Sequence, residues 1–82
     1  MMKDVVSVRC LAGSRLVLTF EGNEDREIDI SKFVPFHGVF EPLRDSAYFK
    51  RVQVNKEIGT IVWPNGADLC PDVLYEKSTP ID

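Results

Sequence analysis

Between residues 61 and 75 the chain reads Ile61-Val62-Trp63-Pro64-Asn65-Gly66-Ala67-Asp68-Leu69-Cys70-Pro71-Asp72-Val73-Leu74-Tyr75, a stretch that holds the only tryptophan and two of the five prolines. No other part of the chain limits the fold as strongly. Ile61 to Trp63 is β-branched and aromatic and suits a strand, which Pro64 ends because it has no N–H to give to a ladder. Asn65-Gly66 predicts a turn, since both residues tolerate positive φ. Pro71 fits the first position of a helix, where its missing N–H costs nothing, and Asp72 sits favourably in the positive first turn. A strand, a sharp turn and a short closing helix follow in that order.

A chain of 82 residues is near the lower end of what buries a core unaided, covering roughly 60–65% of its unfolded surface. One α+β domain over residues 1–77 is expected, with 78–82 as a flexible C-terminal tail. Apolar residues at 44% and charged residues at 28% are ordinary globular values and argue against disorder. The net charge of −3 and a pI of about 5.0 leave no basic footprint, so direct nucleic-acid binding is not expected. No apolar run approaches the length of a spanning helix and no signal-like segment follows Met1-Met2-Lys3-Asp4, which predicts a cytoplasmic protein without membrane association. In that compartment Cys10 and Cys70 are expected as reduced, mostly buried thiols.

The earlier part of the chain alternates. Val6, Val8 and Cys10 share one face of a first predicted strand, and Leu16, Leu18 and Phe20 one face of a second, with Gly13-Ser14 as the hairpin turn. A third strand over Arg26 to Ile30 sets Ile28 and Ile30 inward against Glu27 and Asp29. From 31 to 50 the pattern changes, because Pro35, Gly38 and Pro42 forbid one long helix. Short helical turns near Lys32 to Val34 and Glu41 to Arg44 are predicted, with Asp45 capping a third over Ser46 to Phe49. The aromatics concentrated there would form a lid over the apolar face of the sheet. Arg51 to Asn55 and Thr60 to Trp63 make a second hairpin, giving about five short antiparallel strands with short helices on one face.

Motifs for chemistry are sparse. His37 is the only histidine and has no nucleophile in a matching pattern beside it, so a packed or solvated loop histidine is the expectation over a general base. One histidine and two distant cysteines lack the paired spacing of zinc sites, and Asp45, Asp68 and Asp72 lack the alternate-residue oxygens of a calcium loop. Asp68 reads as a turn residue and Asp72 as a helix-start charge. The glycines at 13, 22, 38, 59 and 66 stand singly at turns, so no phosphate loop is predicted. No catalytic residue, metal site or cofactor is assigned. Trp63 has two readings: core, with its indole N–H on a carbonyl beneath the closing helix near Leu69 or Leu74, or surface, as an anchor for a partner.

With Trp63-Pro64-Asn65-Gly66-Ala67-Asp68-Leu69 followed by Pro71 and Leu74-Tyr75, the chain resembles the bacterial domain-of-unknown-function family 2442. The resemblance also rests on Leu16-Val17-Leu18-Thr19-Phe20, an acidic position at Asp29, and Phe40, Leu43 and Phe49 in the middle segment, and it spans roughly residues 4 to 76. It implies a small bacterial protein, often encoded beside another small protein in what looks like a toxin–antitoxin or regulatory pair, and it brings no catalytic residues. The expectation is therefore a non-enzymatic protein-binding module, the antitoxin-like or regulatory half of a two-protein system, that meets a small basic partner through Trp63, Asn65, Gly66 and Asp68. The alternative is a small-ligand binder or minor enzyme with a pocket near residues 63–70 that uses Asp68, His37 or Cys70. A homodimer through an open strand edge is compatible with both.

Overall fold

A computed structural model describes residues 3–81. Met1, Met2 and Asp82, assigned above to the domain and to the tail, lie outside the described residues. The elements are β1 (Val5–Cys10), β2 (Arg15–Phe20), β3 (Glu24–Asp29), a 3₁₀ turn at Ile30–Lys32, a longer 3₁₀ segment at Gly38–Arg44, α1 (Ser46–Phe49), β4 (Gln53–Asn55), β5 (Thr60–Val62), α2 (Pro71–Lys77) and β6 (Thr79–Pro80). The strands pair antiparallel in two sheets, ordered β1-β2-β3-β6 and β4-β5. The architecture is α+β, as the sequence pattern predicts, with the strands divided between two sheets.

Strand β2 is the axis of the core. Leu16, Leu18 and Phe20 are wholly buried, which at roughly 1.5–3 kcal/mol for each large apolar side chain makes this one face a principal stabilising element. Val17, on the opposite face, is also buried and lies in register between Arg9 and Glu27. Along β1 the alternation differs from expectation. Val5 pairs with Phe20 but Ser7 pairs with Thr19, so Val6 is the extra residue of a bulge. An inserted residue reverses the face that follows it. Val5 therefore turns inward and Val6 is 47% exposed, while Val8 and Cys10 keep to the core side.

The segment after β3 folds as a lid of short turns. Ile30 leaves the strand for the 3₁₀ turn yet stays fully buried, two residues earlier than the turn expected at Lys32 to Val34. Asp29 caps it by accepting from the Ser31 amide at 3.1 Å, and Asp45 caps α1 by accepting from the Ala47 amide at 2.9 Å. Buried Val34, Leu43 and Phe49 join the cluster built on β2, with Phe33, Phe36, Phe40 and Tyr48 packed partly buried around them. The β1 edge is tied to the turn of the second hairpin, where the Val5 N–H donates to the Gly59 carbonyl at 2.9 Å.

The C-terminus departs from the expected tail. Thr79 and Pro80 pair with Glu27 and Arg26 of β3, and the Ile81 amide donates to the Asp25 carbonyl at 3.1 Å. Ser78 is buried because the Arg26 guanidinium holds it twice, Nε to the Ser78 hydroxyl and Nη2 to the Ser78 carbonyl, both at 2.8 Å. No helix among the described residues is long and apolar enough to cross a membrane.

Candidate functional site

Pro64, Asn65 and Gly66 form the loop of a tight hairpin. The Trp63 carbonyl accepts from the Gly66 amide and the Trp63 amide donates to the Ala67 carbonyl, both at 2.9 Å, and a Val62–Asp68 bridge continues the pairing. Of the loop residues only Gly66 has positive φ, at 89°. A proline-led type I turn followed by a left-handed glycine is the three-residue loop whose twist suits flanking antiparallel strands. Asn65 thus stays out of the left-handed region that its residue type would tolerate, and it contributes hydrogen bonds instead. Its Oδ1 accepts from the Ala67 amide at 3.1 Å, its Nδ2 donates to the Val39 carbonyl at 2.9 Å, and its backbone amide donates to the Tyr48 hydroxyl at 2.9 Å. Those bonds fasten the hairpin loop to the 3₁₀ segment and to α1.

Trp63 belongs to the core. It is 1% exposed, its Nε1–H donates to the Phe49 carbonyl at 3.0 Å, and its ring lies 5.8 Å from that of Phe49 at 47°. The carbonyl predicted for the indole is thus supplied by α1, while Leu74 and Leu69 belong to the same cluster. A side chain this deeply buried and hydrogen-bonded is not available to anchor a partner, which corrects the surface reading of Trp63. Pro64, Asn65, Gly66 and Asp68 are exposed. Asp68 contributes its backbone to the bridge with Val62, and its carboxylate makes no hydrogen bond among the described residues. The side-chain bond to the turn backbone expected of Asp68 is made by Asn65, which accepts from the Ala67 amide. Across the Asn65 link stands Val39, 52% exposed, next to Gly38 and the exposed His37 that opens the 3₁₀ segment without a side-chain cap bond. His37, Val39, Pro64, Asn65 and Gly66 are all exposed, and the Asn65–Val39 bond ties the two segments that carry them.

Other candidate residues are scattered. Cys10 is half-buried and Cys70 is exposed, and both are free thiols; Cys70 is therefore less buried than expected, since it stands just outside α2 as its N-cap. Among the described residues no group of three or more histidine, cysteine or acidic side chains could hold a metal ion. The hollow beside the hairpin, about 370 Å³, is lined by Arg51, Gln53, Val62, Trp63 and Pro64. A larger cleft of about 670 Å³ opens between the Cys10–Ser14 turn and the lid. Neither is lined by Asp68, His37 or Cys70.

A polar cluster that the sequence reading missed joins α2 to the sheet. Glu24 accepts from the Tyr75 hydroxyl at 2.8 Å, from Arg26 Nη1 at 2.8 Å and from Lys3 Nζ at 3.2 Å. The Arg26 guanidinium lies 4.1 Å from the centre of the Tyr75 ring, and that ring stands T-shaped to Phe20 with centres 5.0 Å apart. The Tyr75 hydroxyl, and after it Arg26, hold the Glu24 carboxyl below the usual range. Asp29 is held low in the same sense by the hydroxyls of Ser31 and Ser14, at 2.7 and 2.9 Å. The only hint in the sequence is that Tyr75 and Arg26 are the amphipathic side chains that stack and bond at once; their separation along the chain hides the pairing.

The chain belongs to the family described as Protein of unknown function (DUF2442), which matches residues 5–80. No curated protein and no solved structure matches it.

Proposed function

We propose that this DUF2442 protein is a non-enzymatic protein-binding module that docks a small partner protein through the surface formed by Val39, Pro64, Asn65 and Gly66, flanked by Asp68. The observation that carries this reading is the 52% exposure of Val39 directly beside a loop fixed by three Asn65 hydrogen bonds. An apolar side chain held out on a rigid base loses little conformational freedom when a partner covers it, which is the economy that interface anchors rely on. The net charge of −3 favours a basic partner. A cytoplasmic place is the expectation from the apolar pattern of the sequence, and an antitoxin-like or regulatory role in a two-protein system rests on the family resemblance alone.

The test is co-purification of the tagged chain from its native host, followed by identification of companions present in near-stoichiometric amount. One small basic protein, recovered with the wild type and lost with Val39→Asp, is the expected result. Recovery of the chain alone, as monomer or homodimer, counts against the two-protein reading.

A further inference from the structure

The cleft between the β1–β2 turn and the lid combines three features. Its floor is apolar, from Phe36, Leu43 and Phe49, and the half-buried Cys10 thiol forms part of one wall. At its rim stand two cations, Arg44 and Lys50, and no aspartate or glutamate lines it. Arg44 is positioned rather than loose, since its Nε donates to the Phe36 carbonyl at 2.7 Å. Neither Arg44 nor Lys50 has a carboxylate partner among the described residues, as holds for most of the chain's lysines and arginines. In a chain with three more acidic than basic side chains, two cations and no lining carboxylate over an apolar floor suit an anionic group, although Asp29 stands behind Ser14 and Asp45 lies between Arg44 and Ser46 in the chain. A volume of about 670 Å³ lies within the ~300–1,000 Å³ of small-molecule sites.

We infer that this cleft is a binding site for a small carboxylate with an apolar body, its carboxylate between Arg44 and Lys50 and its body against Phe36, Leu43 and Phe49. Guanidinium is well suited to that role because its remaining N–H groups present a planar fork to a carboxylate. The thiol suits the apolar wall: burial pushes the Cys10 pKa up and favours its uncharged form, Lys50 offsetting this only in part. This site goes beyond the docking surface and shares no residue with it.

The test follows amide shifts and Cys10 alkylation in a Cys70→Ser background, which removes the exposed thiol, while sodium acetate, octanoate, phenylacetate and indole-3-acetate are titrated to millimolar concentration. Octanoate, phenylacetate or indole-3-acetate is expected to give saturable shifts at Cys10 to Ser14, Arg44 and Lys50, to slow alkylation of Cys10, and to bind at least about tenfold more tightly than acetate or the neutral phenylacetamide. Arg44→Glu with Lys50→Glu should weaken it about tenfold or more with an unchanged amide spectrum elsewhere, as expected for partly exposed charges. If the double variant does not fold, Lys50→Glu alone should weaken binding several-fold. Absence of saturable shifts with all four acids, equal binding of acid and amide, or binding indifferent to charge reversal would overturn the assignment. Val39→Asp leaves this titration unchanged, so failure here and failure of partner docking are separable.

Discussion

At Gly66 a left-handed backbone at φ 89° meets open space, with no atom within 4 Å of where a β-carbon would stand. Any cost of a side chain there is conformational and not steric. Gly66→Ala should lower unfolding stability by about 1 kcal/mol and Gly66→Asn by less, read from urea midpoints at constant slope. Trp63 is the opposite case, where packing dominates. Trp63→Phe removes the indole donor to the Phe49 carbonyl and leaves a void in the cluster, for an expected loss of about 2–4 kcal/mol. Against the ~5–15 kcal/mol that holds a domain together, such a loss is visible in a thermal melt without abolishing the fold. The turn at 64–66 was legible in the sequence because proline and glycine fix backbone angles by themselves. The bond from Asn65 to the Val39 carbonyl was not, since it depends on a segment 26 residues away.

At the scale of elements, what is local was readable and what is long-range was not. Asp45 caps α1 two residues ahead, and Pro71 opens α2, because both acts need only their neighbours. The bulge at Val6 and the strand at Thr79–Pro80 answer to partners elsewhere in the chain, and no periodicity in their own residues betrays them. The Arg26 hydrogen bonds to Ser78 hold that last strand in place. Arg26→Ala should cost about 2–3 kcal/mol and speed hydrogen exchange at the Ile81 amide first, ahead of amides in β2. The Glu24 cluster gives this region its pH dependence. A carboxyl whose folded pKa is depressed contributes stability that is fully present above its unfolded value, near 4.3, and is lost as pH falls through the lower folded value. Glu24→Gln should therefore destabilise the protein at neutral pH and flatten the decline of its melting temperature below about pH 5.

The whole molecule divides its surface in two ways. On the Asn65 side it presents a patch whose exposed residues do little for the core, and on the Cys10 side it presents a cleft rimmed by unpaired cations. Trp63 couples the first to the core by standing directly beneath the loop that carries it, bonded to α1. Val39→Asp tests docking by this surface without disturbing the loop, because the Val39 side chain is exposed and only its carbonyl is engaged by Asn65. The measurement is paired: the melting temperature of the variant, and the stoichiometric companion that it brings down from its native host beside the wild type. An unshifted melting temperature with loss of a small basic companion is the predicted result. A folded Val39→Asp that retains the companion would contradict this patch as the docking surface.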